Sequence, residues 1–125
     1  MPGESSDAAL EFWSSYVNGR DEYVAPPILY VETLSAIRSL THRGLLTDKE
    51  GKGIVEDFLG VGIRTAEPSG LYGLSYSLAS RYRQPRAYDS CYLALAELLS
   101  CPLLTLDKRL YNTVAGDFPL IRLVP

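Results

Sequence analysis

One histidine, two cysteines, one methionine and one tryptophan are all that 125 residues supply of these side chains. Cys91 and Cys101 stand ten positions apart with no Cys-x-x-Cys pair, so neither a zinc site nor a disulfide framework is indicated, and both read as buried thiols. No apolar run approaches the roughly 20 residues that span a bilayer. The start, Met1-Pro2-Gly3-Glu4-Ser5-Ser6-Asp7, has neither the basic opening nor the apolar stretch of a signal peptide. The expected location is therefore the cytoplasm, with no membrane partner. Positive charge is also scarce: 12 Lys and Arg against 15 Asp and Glu give a net charge of −3. That balance excludes general electrostatic coating of nucleic acid and leaves room for a local basic patch. Internal repeats, low-complexity tracts and interdomain linkers are missing as well.

What is present is ordinary globular composition, 46% hydrophobic and 22% charged, enough for a single domain over residues 1–125 with its own core. Ser5 or Ser6 can cap a helix through Asn18, with Leu10, Trp13, Tyr16 and Val17 on one face and Gly19 as its stop. Tyr23-Val24-Ala25 reads as a short strand. Pro26-Pro27 opens a helix to Leu40 whose buried side is Leu29, Thr33, Ala36, Ile37 and Leu40, and His42, Arg43 and Gly44 end it. Thr47-Asp48-Lys49-Glu50 has the form of a capping box, which predicts a helix to Leu59 stopped at Gly60. Gly62 to Ala66 reads as a strand. Ser69 to Tyr82 reads as a helix with Leu71, Leu74, Leu78 and Tyr82 inward; Tyr72, Tyr76 and Leu78 then suit core or dimer surface rather than base stacking. Leu120 to Val124 is the last strand. Strands alternating with helices of ten or more residues imply an α/β fold: a parallel sheet with helices on both faces, in three layers. The chain opens on a helix where such a sheet is usually seeded by a buried strand, so the first core strand is expected to be absent.

The stretch Tyr88 to Leu110 carries the chemistry. Tyr88, Tyr92, Leu95, Ala96 and Leu99 fall at helical spacing, which predicts a buried face on a helix whose first turn holds Asp89. The free N–H groups and positive dipole end there favour a carboxylate on local grounds alone. Ser100-Cys101-Pro102 breaks the helix, and Leu103-Leu104-Thr105-Leu106 is a run of the kind that forms a strand buried on both faces. Asp107 ends that run. It can belong to the cluster of reactive groups beyond the carboxyl ends of parallel strands, or it can cap the segment Lys108 to Val114.

Tyr88-Asp89-Ser90-Cys91-Tyr92-Leu93-Ala94-Leu95-Ala96-Glu97, with Pro102-Leu103-Leu104-Thr105-Leu106-Asp107-Lys108-Arg109-Leu110, resembles the C-terminal signature of PIN-domain nucleases, especially the VapC-type toxins of bacterial and archaeal toxin–antitoxin pairs. Ala25 to Arg38 is similar to the second motif of that family. The resemblance implies a PIN-like three-layer fold and a metal-dependent endoribonuclease whose acidic residues hold Mg²⁺ or Mn²⁺. Position by position, Glu32 corresponds to the acid of the second motif, Asp89 to the acid opening the penultimate large helix and Asp107 to the acid after the next strand. These three become the expected catalytic and metal-binding residues, with the Thr105 hydroxyl nearby and Ser35 where the family commonly has Asn. Hard oxygen donors suit Mg²⁺, which keeps waters and leaves room for a phosphate. RNA as substrate, a cognate antitoxin and a homodimer are the partners the resemblance implies.

The family usually begins with a buried strand ending in a first catalytic Asp, and the sequence shows neither; Glu4 and Asp7 read as charges at a helix start. With one carboxylate fewer, metal affinity and rate should fall. The alternative reading is therefore a truncated, weakened PIN-fold protein that serves as an antitoxin-binding or dimerisation module. On pattern alone Glu32 is a solvated helix residue. Arg81, Arg83, Arg86, Lys108 and Arg109 can hold RNA phosphates, with Tyr82 and Tyr88 interleaved, or can be a solvated loop and helix start. A phosphatase-like or receiver-like domain would need an acidic pair after a first strand, which is not visible.

Overall fold

The computed structural model describes residues 23–124; the helix expected from Ser5 or Ser6 to Asn18 lies outside them, as do Glu4 and Asp7. The described residues fall into two compact units, 23–65 and 66–124.

In the unit 23–65, β1 (Val24–Ala25) leads into α1 (Ile28–His42), α2 (Asp48–Val61) and β2 (Arg64–Thr65). β1 and β2 pair in parallel, Val24 opposite Arg64 and Ala25 opposite Thr65. Pro27 caps α1 with its fixed φ of −54°, a pre-set start for a helix. Leu29 and Ile37 are the buried anchors of α1; Ala36, expected inward, is exposed. Thr47 and Glu50 form the predicted capping box, the Glu50 amide donating to Thr47 Oγ1 at 3.0 Å and the Thr47 amide to Glu50 Oε1 at 2.9 Å. Hydrogen bonding from the Thr47 amide first, and from the Thr47 hydroxyl second, holds the Glu50 carboxyl below its ordinary range. The helix runs two residues past the expected stop. Gly62, at φ 68°, takes the left-handed turn that ends it, whereas Gly60 lies within α2. Tyr30 ties the unit together: its ring meets Phe58 at 5.3 Å between centroids and its hydroxyl donates to Ile63 O at 2.6 Å.

Gly51 marks the close approach of α1 and α2. A Cβ there would stand 2.6 Å from Thr41 Oγ1, which donates to Ile37 O at 3.0 Å. Alanine is the better helix former by about 1 kcal/mol, but here the overlap outweighs that gain, since overpacking costs about 1–3 kcal/mol. Gly51→Ala should thus lower the urea midpoint of the wild-type chain and raise it in a Thr41→Ala background. The same sign in both backgrounds would contradict this packing.

In the unit 66–124, α3 (Leu71–Arg81), α4 (Tyr88–Leu99), β3 (Leu103–Thr105), α5 (Lys108–Val114) and β4 (Ile121–Leu123) follow in order. β3 and β4 are parallel, with Leu103 opposite Ile121 and Thr105 opposite Leu123. Among the described residues the strands therefore form two parallel pairs, one per unit. α4 packs on α3 and β3, and burial from more than one side corrects the expected single face. Ser90, Cys91, Leu93, Ala94, Leu95 and Ala96 are all buried, whereas Tyr88 and Leu99 are exposed. Ser100 ends the helix at φ 51° while the Cys101 amide donates back to Ala96 O at 3.0 Å, the six-to-one closure of a left-handed cap.

β3 also departs from expectation. Leu103 and Thr105 are half-buried and Leu104 is exposed, so among the described residues the strand is not covered on both faces. Leu71 and Leu78 lie inward on α3 as predicted, Leu74 and Tyr82 are half-buried, and Tyr72 and Tyr76 stand in solvent, which removes them from the core. Cys91 is a buried thiol, but Cys101 is half-exposed; both are free. No helix of the described residues is long and apolar enough to cross a membrane.

Candidate metal and nucleic-acid site

Asp107 follows β3 and caps the helix after it. Its backbone leaves β3 in an extended conformation and its side chain caps α5, Oδ1 accepting from the Arg109 amide at 2.9 Å and from the Leu110 amide at 3.0 Å. Thr105 fixes the approach to this cap, for its Oγ1 accepts from the Asp107 amide at 3.0 Å. The cap engages one carboxylate oxygen. Both bonds fall on Oδ1, and Oδ2 takes part in neither.

Asp89 lies in the first turn of α4, half-buried. Burial raises its pKa above the ordinary aspartate value of 3.8, the negative charge of Asp107 raises it further, and the positive charge of Arg109 works against both. Two carboxylates and a guanidinium from the starts of α4 and α5 thus share one electrostatic neighbourhood. The packing of α4 on β3 explains it: β3 delivers Asp107 at its carboxyl end, close to the helix whose opening turn carries Asp89.

Glu32 is half-buried on α1, in the unit 23–65, and Ser35 is exposed one turn further along the same helix. Among the described residues no three His, Cys, Asp or Glu side chains gather closely enough to hold a metal ion. Arg81 is committed to an ion pair with Asp117, whose Oδ2 also accepts from the Tyr82 hydroxyl at 3.1 Å. Arg83, at φ 54°, and Arg86 are exposed in the loop between α3 and α4. Lys108 and Arg109 are exposed in the first turn of α5. Sequence reasoning missed Ser90, fully buried beside Asp89 with its hydroxyl donating to Ala87 O at 3.0 Å; a serine at the third position of a helix is the signal that could have found it.

Comparison with known proteins adds the family. No family model matches the chain. Ribonuclease VapC12 of Mycobacterium tuberculosis is 37% identical over 86 residues, 69% of this chain and 64% of that protein. The chain thus spans 64% of the length of that relative, a little under two thirds. VapC ribonuclease Mb0985 of Mycobacterium bovis is 30% identical over 95 residues, 76% of this chain and 72% of that protein. Ribonuclease VapC9 of Mycobacterium tuberculosis matches to the same extent. With helices joined by short parallel strands, two carboxylates meeting where α4 and β3 open onto α5, and this likeness over most of its length, the chain belongs to the VapC ribonucleases and has their α/β, PIN-like fold.

Proposed function

We propose that the chain is a metal-dependent endoribonuclease, the toxin of a toxin–antitoxin pair, that cleaves RNA phosphodiester bonds in the cytoplasm with Asp89 and Asp107 as metal-binding carboxylates. The observation that carries this reading is the electrostatic meeting of Asp89 and Asp107 in a chain whose relatives are named ribonucleases.

The donors suit a hard divalent cation. Burial and the charge of Asp107 disfavour ionisation of Asp89, a cost that a bound cation offsets. Mg²⁺ is commonly held through one or two carboxylates together with waters and substrate phosphate, and Asp107 keeps one oxygen outside its cap. When bound, the cation supplies positive charge against the phosphate and acidifies water. The chain supplies the rest. The two amide hydrogen bonds to Oδ1 fix the Asp107 side chain, the Thr105 hydroxyl fixes its backbone, and burial keeps Asp89 in surroundings where charges act more strongly than in water.

The reading includes a cognate antitoxin and a homodimer. The exposed Tyr72 and Tyr76 of α3 provide apolar surface for such contacts, to be checked by co-purification and by sizing the purified protein. The activity itself is tested by incubating the purified chain with cellular RNA in Mg²⁺ or Mn²⁺. Cleavage that stops on adding chelator and resumes with excess metal is the expected result; cleavage indifferent to chelator would overturn the reading.

A further inference from the structure

We propose that the loop between α3 and α4 is an RNA-binding element, Arg83 and Arg86 holding backbone phosphates while Tyr88 stacks on a base. The proposal rests on the ribonuclease reading and adds to it the part of the chain that grips the polyanion. From Arg81 to Tyr88 the sequence runs Arg-Tyr-Arg-Gln-Pro-Arg-Ala-Tyr, three arginines and two tyrosines without an acid, in a chain of net charge −3. Cations interleaved with aromatic rings are what a single strand needs, the first for its backbone and the second for its bases. The covalent chain itself places the segment. Tyr88 adjoins Asp89, and Arg86 stands three positions before it, at most about 11 Å of extended chain.

Within the segment the structure separates anchors from free groups. Arg81 and the Tyr82 hydroxyl are both engaged by Asp117. Arg83 and Arg86 are exposed, and neither forms an ion pair with another described residue; two planar forks of donors are open to phosphate oxygens. Tyr88, placed inward by its sequence spacing, is instead 51% exposed. Arg83 carries its charge against the preference of the backbone. Its φ is 54°, its amide donates to Ser80 O at 3.2 Å and the Gln84 amide to Ala79 O at 2.8 Å, the helix ending that ordinarily takes glycine. An arginine there is strained where glycine is not. The Gln84 side-chain amide donates to Tyr82 O at 3.0 Å, so the loop is fixed by its own bonds before a ligand arrives, which lowers the cost of ordering it.

The test compares the wild type with Arg83→Gly, Arg86→Ala, Tyr88→Ala and Tyr88→Phe, and with Lys49→Ala as a charge-matched control at an exposed position of α2. Affinity for a fluorescein-labelled single-stranded RNA is read by anisotropy in metal-free buffer at several salt concentrations, with thermal melts alongside. Arg83→Gly and Arg86→Ala should each weaken binding on the order of tenfold, the size of one charge-assisted contact. Each should also lower the slope of log affinity against log salt by about 0.7. Tyr88→Ala should weaken binding to a similar degree with the slope unchanged, and Tyr88→Phe should restore it, since stacking needs the ring and not the hydroxyl. Arg83→Gly should melt higher than the wild type because glycine takes positive φ without strain, so its loss of binding is not a loss of fold. Affinity within about twofold of wild type in any of Arg83→Gly, Arg86→Ala and Tyr88→Ala, a loss too small for such contacts, would overturn the proposal. So would an equal loss in Lys49→Ala, which would make the effect one of net charge, or a wild type that binds no RNA. A wild type that binds RNA but leaves it intact in Mg²⁺ and in Mn²⁺ would overturn the nuclease reading alone, because anisotropy decides the role of the loop by itself.

Discussion

Asp89→Asn is expected to make the metal-free protein more stable at neutral pH while removing its activity. Folding raises the Asp89 pKa, through burial first and the Asp107 charge second, so the native state favours the protonated carboxyl. That stabilising contribution is fully present below the ordinary value of 3.8 and is lost as pH rises through the raised native value. At pH 7 the ionised group is therefore a cost, and asparagine removes it. The stability gain of the variant should shrink as the solution is acidified toward pH 3 and vanish below the ordinary value. Metal should act in the opposite sense. At a concentration of about 100 Kd a ligand bound only by the native state adds about 2.7 kcal/mol, and the variant should lose most of that response. Changes to groups that merely support a metal ligand cost about 10–100-fold; loss of the ligand should lower RNA cleavage by at least about a hundredfold. Thermal melts with and without Mn²⁺ from pH 3 to 8, alongside a cleavage assay, check all three effects. A variant less stable than wild type at pH 7, or one still stabilised by Mn²⁺ to the wild-type degree, would contradict the electrostatic account of the site.

The second large effect concerns the helix that carries Asp89. Leu93 is 1% exposed, in the middle of α4 and next to the fully buried Ala94. Leu93→Ala removes three buried heavy atoms from the side chain and leaves a cavity that flanking helices fill only in part, which costs about 2–5 kcal/mol. Against a total stability of about 5–15 kcal/mol for a domain, such a loss should lower the melting temperature on the order of 10 °C. The variant separates fold from chemistry. Below its lowered melting temperature it should retain metal-induced stabilisation and cleavage, because Asp89 and Asp107 are unchanged, whereas Asp89→Asn should be inactive at every temperature. Equilibrium urea unfolding gives the number directly, and a loss under about 1 kcal/mol would show that Leu93 is not packed as described.

Much of this is legible in the sequence. The bounds of α4 and α5 were readable because their ends carry strong local signals: the Ser100-Cys101-Pro102 break for one, and Asp107 as a cap for the other. The motif residues around Asp89 and Asp107 stood in family order, which made the family itself legible. Three things were not. Gly60 and Gly62 offer the same stop signal two residues apart, and only the backbone decides which adopts positive φ. The burial of Ser90 and Cys91 depends on how many neighbours α4 has, which periodicity along one helix does not report. That Asp107 can cap a helix and still offer an oxygen to a cation is not visible from its position in the sequence. A carboxylate has two oxygens, and the cap engages Oδ1. The coupling of Arg109 to Asp89 likewise depends on side-chain direction between elements far apart in sequence.

The most direct measurement is single-turnover RNA cleavage in Mn²⁺ by the wild type, Asp89→Asn, Asp107→Asn and the double variant. Asparagine is as good a helix cap as aspartate, so Asp107→Asn keeps α5 while removing the charge. If Asp89 and Asp107 hold one cation together, each single variant loses nearly all activity and the double variant is little worse than either, as for groups that act as a unit. Independent, multiplying losses, or cleavage that survives in the double variant, would contradict a shared metal site.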